Sequence, residues 1–214
     1  TYLLNGRMRH KDNTGREGVI GPGGIQWMTA GKGIVHSEMP EQENGLLEGF
    51  QLWVNLPAQH KMDEPGYQEY SVDHIPVETR DGCEISVITG ETSSGIRGPV
   101  VQPLTQPLYL DVRLQAQHTF NEPVNKNHNA FIYVIEGEAL IKDEHSQLQT
   151  LVKDELAILN KGDSVEIQSD TQDTRFLLIA GNPLNEPVAR GGPFVMNTQQ
   201  EVRQAYTDYQ SGNF

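Results

Sequence analysis

Short β-type runs separated by glycine, proline, asparagine and aspartate recur from one end of this chain to the other, and the cadence predicts a mostly-β fold. The runs lie at residues 24–28, 46–56, 84–88, 108–114, 130–141, 151–159, 164–168 and 175–180. Most are as long as ordinary strands. In 46–56 the alternation is clear: Phe50, Leu52, Val54 and Leu56 share one face, and Gln51, Trp53 and Asn55 share the other. The 21 glycines and 12 prolines sit where the chain turns, and they explain part of an apolar fraction of only 36%. One amphipathic helix is predicted near the C-terminus. Thr198 followed by Glu201 forms a capping-box pattern, Val202, Ala205, Tyr206 and Tyr209 recur at helical spacing, and Gly212 can close the end.

The strands fall into two groups with the same internal rhythm, an apolar strand, a glycine turn, a polar strand, and a glycine-rich turn before the next apolar strand. The first group shows it at 2–4, Gly6, 7–10 and 21–24; the second shows it at 131–136, Gly137, 138–141 and 161–163. Two copies of one small β-barrel account for this, with a border at 105/106: residues 1–105 form the first domain, and 106–214 the second with the helix. No strict period is present, so a repeat array is disfavoured.

Several function classes are excluded early. A single cysteine, Cys83, cannot form an internal disulfide, so a cysteine-stapled scaffold is ruled out. Cys83 follows the hairpin signal Asp81-Gly82 and has no basic neighbour to activate it. No apolar run approaches the ~20 residues of a membrane span. A net charge of -13 argues against direct nucleic-acid binding. No Gly-x-Ser-x-Gly motif is present, and Gly21-Pro22-Gly23-Gly24 lacks the Gly-Lys-Ser/Thr of a phosphate loop.

The chemistry-bearing stretch is residues 31–40, Gly-Lys-Gly-Ile-Val-His-Ser-Glu-Met-Pro. If it is extended, His36 and Glu38 point to the same face, and imidazole plus carboxylate make half of a facial metal site. The alternative is that they bond to each other or face solvent. His10, between Arg9 and Lys11, reads as solvent-facing. His60, His74, His118, His128 and His145 read as surface residues, with His128 a second option as polar lining of a vestigial pocket. The acidic residues Glu38, Glu41, Glu43 and Glu48 solubilise the barrel mouth.

The stretch 26–40, Gln-Trp-Met-Thr-Ala-Gly-Lys-Gly-Ile-Val-His-Ser-Glu-Met-Pro, resembles the signature of the pirin family of the cupin superfamily. The resemblance continues through Gln51-Leu52-Trp53-Val54-Asn55-Leu56-Pro57, Glu64-Pro65, Tyr67-Gln68, Glu186-Pro187-Val188 and Gly192-Pro193-Phe194-Val195-Met196-Asn197-Thr198. It implies an all-β bicupin: two tandem jelly-roll-like barrels, with one metal in the first domain and none in the second. His36 and Glu38 match two of the family's four ligands. The other two are histidines upstream of the stretch matching Thr1-Tyr2-Leu3-Leu4, so the chain is expected to be a longer protein lacking its N-terminal segment.

By the same resemblance the cofactor is one divalent transition metal, iron(II) first, with nickel, copper, manganese and zinc as further options. The implied activity is that of a quercetin 2,3-dioxygenase, with a flavonol or similar enolisable aromatic and dioxygen as substrates. Glu38 would be both ligand and base, and Met28 and Gln51 would face the substrate. The alternative is a non-enzymatic, iron-dependent regulator that binds a protein partner, a transcription factor or a metabolic enzyme. A cytoplasmic location is the default, or a nuclear one in a eukaryote.

Overall fold

A computed structural model describes residues 1–41, 45–143 and 145–214. The first strands are Tyr2–Asn5 (β1), Met8–Asp12 (β2), Glu17–Ile20 (β3), Ile25–Thr29 (β4), His36–Pro40 (β5), Glu48–Phe50 (β6) and Gly66–Tyr70 (β7). Then follow Val77–Arg80 (β8), Cys83–Thr89 (β9), Leu108–Leu114 (β10), Thr119–Pro123 (β11), Asn129–Glu136 (β12), Glu138–Lys142 (β13), Leu148–Val152 (β14), Leu156–Ile158 (β15), Ser164–Gln168 (β16) and Thr174–Gly181 (β17). A last hairpin, Ala189–Gly191 (β18) with Phe194–Met196 (β19), precedes the helix Gln199–Gln210 (α1).

Packing gathers these elements into two units, Thr1–His74 with Leu184–Phe214, and Ile75–Pro183. These limits differ from the border at 105/106 for a physical reason. β8 and β9 pair into the same sheet as β10. The C-terminal segment bonds to the N-terminal one, where the Ala58 amide donates to Glu186 at 2.8 Å and Lys61 Nζ to the Val195 carbonyl at 3.2 Å.

In the Ile75–Pro183 unit, a six-stranded sheet of order β15-β12-β17-β10-β9-β8 faces a four-stranded sheet of order β11-β16-β13-β14. Its interior is apolar: Ile85, Val87, Leu110, Val112, Phe120, Ile132, Val134, Ile167, Phe176 and Leu178 form one buried cluster. Phe120 and Phe176 meet edge to face with centroids 5.4 Å apart. Asp81-Gly82 makes the expected hairpin between β8 and β9. The run 151–159 is not one strand, because the chain turns between β14 and β15, where Asp154 has φ 68.

In the other unit, the sheet β6-β1-β4-β7 accompanies the sheet β3-β2-β5. Its apolar cluster is small: Leu3, Met8 and Ile20, with Leu47 against them. The run 46–56 forms a strand only at Glu48–Phe50, since β1, its pairing partner, begins at Tyr2 opposite Phe50. Beyond that, side chains hold the segment: Lys61 Nζ donates to Asn55 at 2.5 Å, and the Arg190 guanidinium lies 5.1 Å from the Trp53 ring centre. Helix α1 carries the predicted capping box on Thr198 and Glu201. Val202 is its buried anchor, while Tyr206 packs on Phe194 at 4.9 Å.

Truncation of Phe176 to alanine is expected to lower the unfolding free energy by about 3–5 kcal/mol. Ile158→Ala, at a side chain 83% exposed, is expected to stay within about 0.5 kcal/mol of the parent. Urea denaturation of both variants checks this ordering.

Candidate metal centre

Strand β5 is extended, as the site reading requires, and His36 and Glu38 are half-buried on one face while Ser37 and Met39 are exposed. Antiparallel pairing sets His36 opposite Asp12 and Glu38 opposite His10 on β2. Directly opposed residues share a face with Cβ atoms about 4.5–5.5 Å apart. This sheet therefore turns two imidazoles and two carboxylates inward together. The approach to β5 is fixed by Gly31, which has φ 54 and an ideal Cβ position only 2.0 Å from the Asp63 carbonyl oxygen. A side chain there would collide with backbone, so only glycine permits this path.

The second sheet supplies the facing groups. Register places Gln26 opposite Glu69 and Met28 opposite Tyr67. The two faces meet through hydrogen bonds: His10 Nε2 lies 2.5 Å from Glu69 Oε2, and the Tyr67 hydroxyl donates to Asp12. The His10 ring stacks against Tyr67 at 6.4 Å, and the Arg16 guanidinium lies 5.5 Å from the same ring centre. Glu38 receives one donor on each oxygen, Thr1 Oγ1 at 3.0 Å and Gln51 Nε2 at 3.2 Å. Three atoms stay orphaned in this interior: His36 Nδ1, Gln26 Nε2 and Asp12 Oδ2 are buried without a hydrogen-bond partner.

Electrostatics follow from this packing. Burial works to raise the Asp12 carboxyl, but donors from Thr14, Arg16 and Tyr67 outweigh it and leave the group below its ordinary value. Burial, then the Asp12 hydrogen bond, raises the Tyr67 phenol far above its ordinary 10.0.

Several expectations are corrected. His10 is not solvent-facing but 7% exposed. Its charged neighbours Arg9 and Lys11 point to the opposite face of β2, and Gly18 on β3 leaves it room, an ideal Cβ there lying 2.4 Å from His10 Nε2. Asp12 and Glu69 lie outside any motif, and Gln26 and Tyr67 stand in the family signature with no role attached. Alternation along β2, β4 and β7 was the signal that would have placed them with Met28. Met28 is half-buried on the interior face, whereas Gln51 is exposed and reaches Glu38 only with its amide. The acidic side chains are engaged: Glu41 pairs with Arg9, and Glu48 accepts from Asn5 at 2.8 Å; Glu43 lies outside the described residues. His74 and His145 are exposed; His60 and His118 are half-buried and bonded to Asp63 and the Ala116 carbonyl. His128 is half-buried in an open cavity of about 500 Å³ in the Ile75–Pro183 unit. Cys83 is buried, and burial pushes its thiol up to about 11, which keeps it inert near neutral pH.

His36 and Glu38 are donors of the kind a divalent transition metal takes, imidazole nitrogen and carboxylate oxygen, although among the described residues no group of three or more such side chains comes together. The orphaned His36 Nδ1 fits that assignment: a buried imidazole nitrogen without a protein partner is expensive unless something else meets it.

Comparison with known proteins supports the same fold. The family model described as Pirin matches residues 1–54, and that of the Pirin C-terminal cupin domain matches 109–214. A pirin-like protein of Caulobacter vibrioides is 54% identical over 215 residues, covering 100% of this chain and 76% of that protein. Human pirin is 44% identical over 213 residues, covering 99% of this chain and 72% of that protein. A crystal structure of quercetin 2,3-dioxygenase from Acinetobacter baumannii matches with a TM-score of 0.91 at 34% identity, covering 100% of this chain and 74% of that one. The fold is thus a tandem cupin.

A raised tyrosine contributes stability that is complete below its unfolded value of about 10 and is lost as pH rises through the folded one. Tyr67 is expected to resist ionisation in alkaline spectrophotometric titration until the protein unfolds. Tyr67→Phe should remove that late step and cost about 1–3 kcal/mol by leaving Asp12 short of a donor. A Tyr67 that titrates freely near 10 contradicts the buried hydrogen bond.

Proposed function

This chain belongs to the pirin family of the cupin superfamily, and from that premise we propose that it is a metal-dependent dioxygenase of the quercetin 2,3-dioxygenase type. Its substrates are a flavonol or a similar enolisable aromatic, and dioxygen. The observation that carries the reading is the pairing of His36 and Glu38 on one interior face, with His36 Nδ1 buried and unpartnered and Glu38 held only by a hydroxyl and an amide. These two residues would hold one divalent metal, iron(II) by preference, with nickel, copper, manganese or zinc suited to the same donors. In the family pattern the other two ligands are histidines N-terminal to the stretch that matches residues 1–4.

When bound, the metal supplies Lewis acidity, a template for the substrate oxygens and a redox partner for dioxygen. The chain's own groups do the rest. Glu38 accepts the proton of the flavonol hydroxyl on a carboxylate oxygen, while Thr1 and Gln51 fix where that carboxylate points. Met28 and Tyr67, opposed across β4 and β7, form the wall against which an aromatic ring packs. The interior hydrogen bonds of His10 with Glu69 and of Tyr67 with Asp12 keep the two sheets at fixed spacing around it. Among the described residues no helix is long and apolar enough to cross a membrane.

Iron(II)-reconstituted protein is expected to consume dioxygen with quercetin in an oxygen-electrode assay. Glu38→Gln should lower kcat by on the order of 10²–10⁴-fold, the range of general acid–base catalysis. Retained turnover in a metal-loaded Glu38→Gln variant would remove Glu38 as base. Metal-dependent capture of a protein partner with no dioxygen uptake would favour the regulatory alternative.

A further inference from the structure

The Gln51 amide that holds Glu38 is itself oriented from outside the site. A glutamine amide can be turned through a half-rotation with little change in shape, so its direction must be set by its partners. Here one partner leaves no choice. The indole of Trp53 is a donor only, and its Nε1 meets Gln51 Oε1 at 3.3 Å. The atom facing Trp53 must therefore be the amide oxygen, which obliges the NH₂ to face Glu38 Oε2 at 3.2 Å. Turned the other way, the amide would set its NH₂ against an indole N–H and its oxygen against a carboxylate, losing two hydrogen bonds and adding a repulsion.

Trp53 is 54% exposed, so burial does not fix its ring. Its neighbours do. The Arg190 guanidinium of β18 lies 5.1 Å from the ring centre, within cation–π range, and β18 is paired with β19. Lys61 Nζ ties that hairpin to the Gln51–Pro57 segment by donating both to Asn55 Oδ1 and to the Val195 carbonyl. A chain of contacts thus runs from Arg190 to Trp53, to Gln51 and to Glu38.

We propose that Trp53 is a positioning residue for the metal carboxylate, acting through the Gln51 amide. The inference rests on the reading of Glu38 as a metal ligand. It gives Gln51 a role beyond substrate contact, that of orienting the Glu38 carboxylate. Partners beyond the ligands typically tune metal affinity by 10–100-fold, and that is the scale expected here.

The test is titration with cobalt(II), followed by its visible d–d absorption, in four proteins: parent, Trp53→Phe, Gln51→Leu and the double variant. Trp53→Phe keeps an aromatic ring for Arg190 to pack on while removing the indole N–H together with its five-membered ring. It should weaken cobalt(II) binding about 10-fold and shift the band, whereas the same change in the Gln51→Leu background should do neither. Equal cobalt(II) affinity in parent and Trp53→Phe overturns the proposal, and so does an equal loss in both backgrounds, which would mark a general structural effect. Glu38→Gln is the separate control. If it leaves cobalt(II) binding intact, the assignment of Glu38 as ligand fails as well; if it weakens binding while Trp53→Phe does not, only the positioning role fails.

Discussion

Polar groups carried into an interior must find partners there, because an amide, imidazole or carboxylate that loses water without compensation costs several kcal/mol. In the Thr1–His74 and Leu184–Phe214 unit this requirement organises everything else. The sheet β3-β2-β5 turns His10, Asp12, His36 and Glu38 inward, and the opposing sheet answers with Glu69, Tyr67, Thr1 and Gln51. The apolar cluster of this unit is too small to hold two sheets alone. Hydrogen bonds across the gap therefore fix spacing and register as well as satisfying the groups that make them. What the network leaves over is one buried imidazole nitrogen on His36, one amide NH₂ on Gln26 and one carboxylate oxygen on Asp12. This is the place proposed for the metal, beside a donor atom that has no protein partner.

The Ile75–Pro183 unit follows the opposite solution. The corresponding space is filled by leucine, isoleucine, valine and two edge-to-face phenylalanines. Its ionic groups are paired away from that cluster. Arg175 grips Asp111 through two nitrogens at 3.0 and 2.7 Å, and Arg80 joins Glu78 to Glu122. The Arg80 hydrogen bond holds the Glu78 carboxyl down to about 2, so it stays ionised throughout the physiological range. These pairs are closed by their own partners, and removing one member would strand a buried charge. Two barrels of one ancestry-like rhythm thus separate into one with a chemically equipped interior and one that is packed.

Much of this is legible in the sequence. The alternation at His36–Pro40 placed His36 and Glu38 on one face, the capping box set the start of α1, and the family signature covered both cupin segments. What was not readable has physical causes. His10 looked solvent-facing because Arg9 and Lys11 flank it, yet on a strand adjacent residues point oppositely, so charged neighbours argue for an inward side chain rather than against one. Glu69 and Tyr67 meet their partners across two sheets at a sequence separation of more than fifty residues, a distance that no local period encodes. The alternation after Phe50 suggested a longer strand, but a ladder needs a neighbour, and side-chain ties from Lys61 and Arg190 replace it there.

The central claim is that His36 and Glu38 hold a metal ion. A crystal structure of protein reconstituted with iron(II), with diffraction recorded on both sides of the iron absorption edge, addresses it directly. The account predicts one anomalous peak at bonding distance, about 2.0–2.2 Å, from an imidazole nitrogen of His36 and a carboxylate oxygen of Glu38. An iron peak elsewhere in the molecule, with His36 and Glu38 bonded only to protein groups, would contradict it.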